Sequence, residues 1–281
     1  MFSLTLKKSI FYSLGLTLVY TCLVFVGFEF FKSSGLSRLF ILLGGDLRNG
    51  GIIQSFIVFS SLWAFFDIVQ ARKSITNEFK GLCLNLLPTE EKHVLLPFDL
   101  PNIEKKLTAL KGENDKLMIK RLPQTALLKF KSTQSMSETI DVISIQSDIS
   151  RELHESEQST MRYLLWLIPS IGLMGTVIGI SQALTIAGKG DIDAITAMLG
   201  VAFDTTLMSL VLSAIVTGLY HRLQEETDKL HAHMKEYVIT NFVNRLEIKE
   251  MGKASPPPVS AVPDQEGPKK VVKKTIKKTA V

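Results

Sequence analysis

The chain has 281 residues, 46% of them hydrophobic, and a formal charge of +5 from 32 Lys and Arg against 27 Asp and Glu. Its mean hydropathy is positive and its apolar residues lie in long runs, as expected when some stretches meet lipid and others water. Most of the basic excess falls in the last thirty residues, so the charge gives no reason to expect a nucleic-acid partner, and two cysteines make no disulfide framework.

Crossing a ~30 Å hydrocarbon core takes about 20 apolar residues in a helix. Four stretches meet that requirement. Ser9 to Phe28 carries no charge and follows Lys7 and Lys8; it outruns the core of a signal peptide and reads as a retained anchor. Gly51 to Ala71 holds one acid, Asp67, near its end. Tyr163 to Gly188 is uncharged, and Ala194 to Tyr220 holds one acid, Asp204.

Positive residues close to the spans set orientation. Lys7 and Lys8, Arg72 and Lys73, Arg162, and His221 with Arg222 all fall on one side. Lys32, Arg38, Arg48 and Lys189 form a weaker set on the other. Both termini are therefore expected in the cytoplasm, with the chain crossing the membrane four times.

The expected architecture is an all-α membrane protein: four transmembrane helices with long cytoplasmic helical extensions. Residues 1–71 supply two spans and a short periplasmic loop, and 72–162 a cytoplasmic helical domain. Residues 163–222 form a second pair of spans, 223–250 a cytoplasmic helix, and 251–281 a disordered basic tail. In the domain, Pro88, Pro97, Pro101 and Pro123 punctuate helices expected over Asn102 to Leu122 and Ser135 to Met161. Val142, Ile145, Ile149 and Leu153 recur at helical spacing and read as the apolar face of the second, which runs into the third span. In the tail, Lys269-Lys270, Lys273-Lys274 and Lys277-Lys278 suit either a solvated segment or attraction to anionic lipid.

The second pair of spans carries the candidate chemistry. Pro169 leaves a carbonyl without its helical donor, and Gly175 and Gly179 form a small-xxx-small pair that lets another backbone approach. Pro169, Gly172, Thr176 and Gly179 share one face, which serves either tight packing or a functional wall. Thr206, Ser209, Ser213 and Thr217 align within about 80° of the fourth span. They read either as tolerated hydroxyls bonded to their own helix or as a wall wet enough for a proton. Asp204 lies about 160° from Thr206 on the same wheel, so it faces a neighbouring helix, neutral or hydrogen-bonded, with ion carriage as the alternative. No nucleotide loop, nucleophile elbow or zinc spacing appears; His231 and His233 point to different helix faces and read as solvated. The sequence implies neither an enzyme nor a cofactor.

The run Pro169-Ser170-Ile171-Gly172-Leu173-Met174-Gly175-Thr176-Val177, followed by Ile178-Gly179, resembles the third-helix signature of the MotA/TolQ/ExbB proton channels. Ala202-Phe203-Asp204-Thr205-Thr206 resembles the start of their last pore helix, and four spans with a large loop after the second is similar to MotA. The resemblance implies a homo-oligomeric ring of five subunits around a small single-span partner of the MotB/TolR/ExbD type, which carries an essential intramembrane Asp. It implies that proton motive force drives mechanical work in the envelope, with Thr176 and Thr206 lining the pore. Asp204 departs from the apolar residue usual in MotA and ExbB. The competing readings are a secondary transporter, which predicts two related halves, and a non-conducting scaffold or sensor, which predicts that Thr176 and Thr206 are dispensable.

Overall fold

A chain crossing lipid must satisfy its own backbone polar groups, and these apolar runs do so as helices. The computed structural model describes residues 2–31, 37–47, 50–82, 86–88, 95–96, 98–109 and 117–246. They form α1 (Phe2–Phe30), α2 (Ser37–Leu42), α3 (Gly51–Leu82), α4 (Leu100–Ala109), α5 (Met118–Thr133), α6 (Met136–Glu157), α7 (Ser159–Ala187) and α8 (Ile192–Asn241), closed by a 3-10 turn at Val243–Arg245. The four apolar stretches lie in α1, α3, α7 and α8, each long and apolar enough to span a bilayer. The chain is an all-α membrane protein. Lys32, Arg48, Cys83, Pro97 and the basic tail lie outside the described residues.

α3, α7 and α8 form a bundle in which α7 and α8 pack most extensively, and α1 leans on α3. α1 meets α3 through small polar residues every fourth position, with Ser9, Ser13 and Thr17 buried and Thr21 next in line. Thr21 Oγ1 reaches Ser55 Oγ at 3.3 Å and Ser9 Oγ reaches the Gln70 side chain at 3.4 Å. Such short side chains allow close approach in lipid, where apolar burial gives helices little reason to associate. The other faces of α1, with Phe11, Leu18 and Leu23, are exposed and suit acyl chains.

Two contacts set α3 and α8 side by side. At one end Gly50, at φ +115, abuts Val201, where any Cβ would collide with the valine. At the other, Arg72 and Glu226 pair at 2.7 Å. The first residues of α8 thus stand beyond the start of α3. Asp204 lies about 5 Å past that start, since it follows Val201 by three residues.

Beyond the spans, α4, α5 and α6 pack on the ends of α3 and α8 around Leu107, Ile119, Leu122, Leu127, Ile143 and Phe242, all fully buried. α5 begins at Leu117 with no cap of its own. The Glu78 carboxylate from α3 takes that role, accepting from the Met118 N–H at 2.9 Å. Burial pushes the Glu78 carboxyl above its ordinary range, against the pull of that bond and of Arg121. Gln134 in the left-handed region (φ 49) ends α5, and Ser135 caps α6 by accepting from the Glu138 N–H, so two residues reverse the chain. The segment after α3 is tied to the end of α8 by Leu95 N–H to Arg245 O at 2.7 Å and Leu87 N–H to the Tyr237 hydroxyl at 3.0 Å.

Three expectations are corrected here. The helix expected over Asn102 to Leu122 is two helices, since α4 ends at Ala109 and α5 starts at Met118. Pro123 sits inside α5, near enough to its start that only the Ile119 carbonyl loses its donor. The helix leading into the third span is interrupted at Gln158, and its buried side is Thr139, Ile143 and Ser147, whereas Ile145, Ile149 and Leu153 are 57%, 44% and 53% exposed.

Candidate functional site

α7 and α8 are joined by a tight reversal through Gly190 (φ +73), after which Asp191 caps α8 by accepting from the Ala194 N–H at 3.0 Å. The two helices then run antiparallel along a seam of glycines on α7 and small residues on α8. A Cβ at Gly172 would collide with the Ser209 side chain. One at Gly175 would stand 2.6 Å from Thr205 Oγ1, and one at Gly179 would stand 2.7 Å from the Ala202 Cβ. All three glycines are buried, so the backbones touch where any larger residue would hold them apart.

That closeness brings Thr176 and Thr206 together, hydroxyl to hydroxyl. Thr176 Oγ1 also reaches the Ala202 carbonyl at 3.2 Å, and Thr206 Oγ1 the Gly172 carbonyl at 3.1 Å. Each hydroxyl has one proton and more than one acceptor in range, so the pair can exchange donor and acceptor roles by rotation. Both side chains are half-buried. Ser213 and Thr217 follow on the same side, also half-buried. Ser209 is fully buried against Gly172 and donates to the Thr206 carbonyl at 2.9 Å. Pro169, half-buried, lies within α7 two turns from Thr176 and withholds the N–H that the Leu165 carbonyl would otherwise receive.

Asp204 lies on the far side of α8 from this pair. Its side chain is 6% exposed, and Oδ1 accepts from Arg38 Nη2 of α2 at 3.0 Å, while Oδ2 has no partner among the described residues. Arg38 entered the sequence analysis only as a loop charge. The signal that could have joined the two was present: one cation in an apolar six-residue helix, one anion in an apolar span.

A second cluster lies beyond the spans where α6 meets α7. His154 Nδ1 stands 3.0 Å from His231 Nε2, and the buried Gln158 donates to Thr227 Oγ1 at 3.4 Å. His231 is 5% exposed, so the expectation of a solvated histidine is overturned for it. Burial, the neighbouring His154 and Arg151 hold its pKa down to about 4, against the opposing pull of Asp228 and Glu155. Burial likewise lowers the pKa of His154.

Residues 111–236 match the family model described as MotA/TolQ/ExbB proton channel family. Over this stretch the chain is similar to the MotA/TolQ/ExbB proton channel family. The family stretch takes in α5, α6, α7 and most of α8, and so includes Thr176, Thr206 and the glycine seam, whereas α1 to α4 lie before it. It is a family of proton channels rather than of enzymes. No curated protein and no solved structure matches the chain.

Proposed function

We propose that the chain is the proton-conducting subunit of an energy-transducing motor in a bacterial inner membrane. It forms a ring, five copies in this reading, around a small single-span MotB/TolR/ExbD-like partner. The observation that carries the proposal is the hydroxyl pair Thr176–Thr206, held by the glycine seam inside the stretch that matches a proton channel family. A hydroxyl pair that can swap donor and acceptor roles passes a proton without stable charge, yet it neither stores nor releases one near neutral pH. Among the described residues its face of α8 has no carboxylate, since Asp204 points elsewhere and is paired with Arg38. The titrating acid therefore comes from the partner.

Pro169 bends or softens α7 next to the pair, and Gly172, Gly175 and Gly179 set the helix spacing. Ser213 extends the proton path, while buried Ser209 supports its wall from behind. Both termini and the two connecting bodies, residues 72–162 and 223–250, face the cytoplasm. Ile145, Ile149 and Leu153 support the ring: an apolar stripe exposed outside the spans needs a protein cover, and a second copy supplies one.

The test is native mass spectrometry of the complex drawn from its own membrane, joined to proton flux in liposomes. Five copies with two of a single-span protein, conduction lost in Thr206→Val and kept in Thr206→Ser, are the expected results. A monomer without such a partner, or full flux through Thr206→Val, would refute the proposal.

A further inference from the structure

α1 and α8 both lean on α3 and leave between them a groove of about 620 Å³. Leu16 and Val19 line it from α1, Val58 and Leu62 from α3, and Met208 and Leu212 from α8. The two hydroxyls on its wall are spent internally: Tyr20 donates to the Leu43 carbonyl at 2.9 Å and Ser61 to the Ile57 carbonyl at 2.8 Å. The wall therefore offers water nothing to bond, and a roomy apolar space of this kind holds an apolar guest rather than solvent. Along α8 the groove runs from Met208 to Leu219. That is roughly 16 Å of helix, close to the depth of one leaflet of a ~30 Å hydrocarbon core.

One end of this groove is marked by charge. Asp204 precedes Met208 by four residues on the same face of α8, and it holds the Arg38 guanidinium there. Only Nη2 engages the carboxylate, and 60% of the Arg38 side chain is exposed. Gly200, a turn before Asp204, leaves the guanidinium room: a Cβ there would touch Nη1 at 3.6 Å and Nη2 at 3.7 Å. The fork of an arginine has five N–H donors and matches phosphate oxygens well, and its long stem lets it reach from within the bilayer to headgroup level.

We propose that this groove is a phospholipid site, with the headgroup phosphate on Arg38 and one acyl chain lying along α3 between α1 and α8. Tyr20 and Leu43 close the chain in at the α2 end, and a bound lipid joins the first pair of spans to α8 where α1 leaves a gap. The site requires only that α1, α3 and α8 cross a membrane, and stands or falls apart from the channel reading.

The experiment is phospholipid retention by the intact complex, taken from its own membrane and exchanged repeatedly into lipid-free detergent. Native mass spectrometry and total phosphorus serve as the readouts. About one phospholipid per chain is expected to persist. Val19→Trp and Ile215→Trp fill the groove from opposite walls at positions 58% and 56% exposed, so neither disturbs a packed core. Each is expected to lower retention about tenfold. Leu18→Trp, at a position 69% exposed on the opposite face of α1 from the groove, is expected to keep the lipid. The double variant Arg38→Gln with Asp204→Asn removes the charge without leaving a buried acid unpaired, and is expected to weaken retention as well. Retention unchanged in both groove-filling variants, no lipid in the unaltered complex, or cross-linking of Val19→Cys to a neighbouring chain across the groove would each overturn the proposal.

Discussion

Acidification from about pH 7.5 to about pH 5 is expected to weaken the body outside the spans through His231. The imidazole is buried, and its pKa is held from 6.5 down to about 4, so the folded protein resists a proton that the unfolded chain accepts. Above about pH 6.5 neither state binds that proton and the stability is intact; it falls as the pH drops below 6.5 and levels off below 4. At about 1.4 kcal/mol for each pH unit crossed, the total loss is roughly 3 kcal/mol, of which about 2 kcal/mol is gone by pH 5. The groups that set it are His154, Arg151 and Glu155 on α6 and Asp228 on α8. The assay is thermal melting of the purified protein followed by circular dichroism at several pH values, beside His231→Leu. The variant removes the titrating group, so its melting temperature should decline less between pH 7.5 and 5. Equal declines in both proteins would refute the reasoning.

Gly179→Val adds bulk where a Cβ already stands 2.7 Å from Ala202, and should destabilise the purified protein by about 1–3 kcal/mol. Gly188→Ala, with nothing within 4 Å, should leave the melting temperature unchanged. Glu78→Ala removes the carboxylate that accepts from the Met118 N–H at the start of α5 and should lower stability by about 1 kcal/mol, read as faster amide exchange over residues 118–122. Replacing Ile145 and Ile149 with Glu should shift light-scattering mass from oligomer to smaller species, with the helical content of the protein retained.

The spans were legible because a run of apolar residues long enough to cross a bilayer has few other fates. The glycine seam was legible too, since Gly172, Gly175 and Gly179 recur on one side of a span where small residues mark contact. The interior of α6 was not. Its apolar periodicity, Val142 to Leu153, follows a stripe that one chain leaves largely exposed, while the side packed within the chain is the small Thr139 and Ser147 around Ile143. Hydropathy ranks residues by their aversion to water and cannot say which protein surface relieves it. Arg38 with Asp204 and His154 with His231 escaped for another reason. Their partners stand 166 and 77 residues apart, and each residue alone looks like a loop charge or a solvated ring.

α8 runs for fifty residues without a break, which at 1.5 Å per residue is a rod of about 75 Å. A rod of that length is a lever as well as a wall. A tilt of about 5° about the Thr206 end would carry the Phe242 end through several ångströms, since the arm between them is roughly 54 Å long. The companion path through α7 and α6 has a joint at Gln158 and can fold at the membrane surface. Motion made beside a single proton-bearing group would thus arrive enlarged at the far end of α8, with the jointed arm absorbing the mismatch.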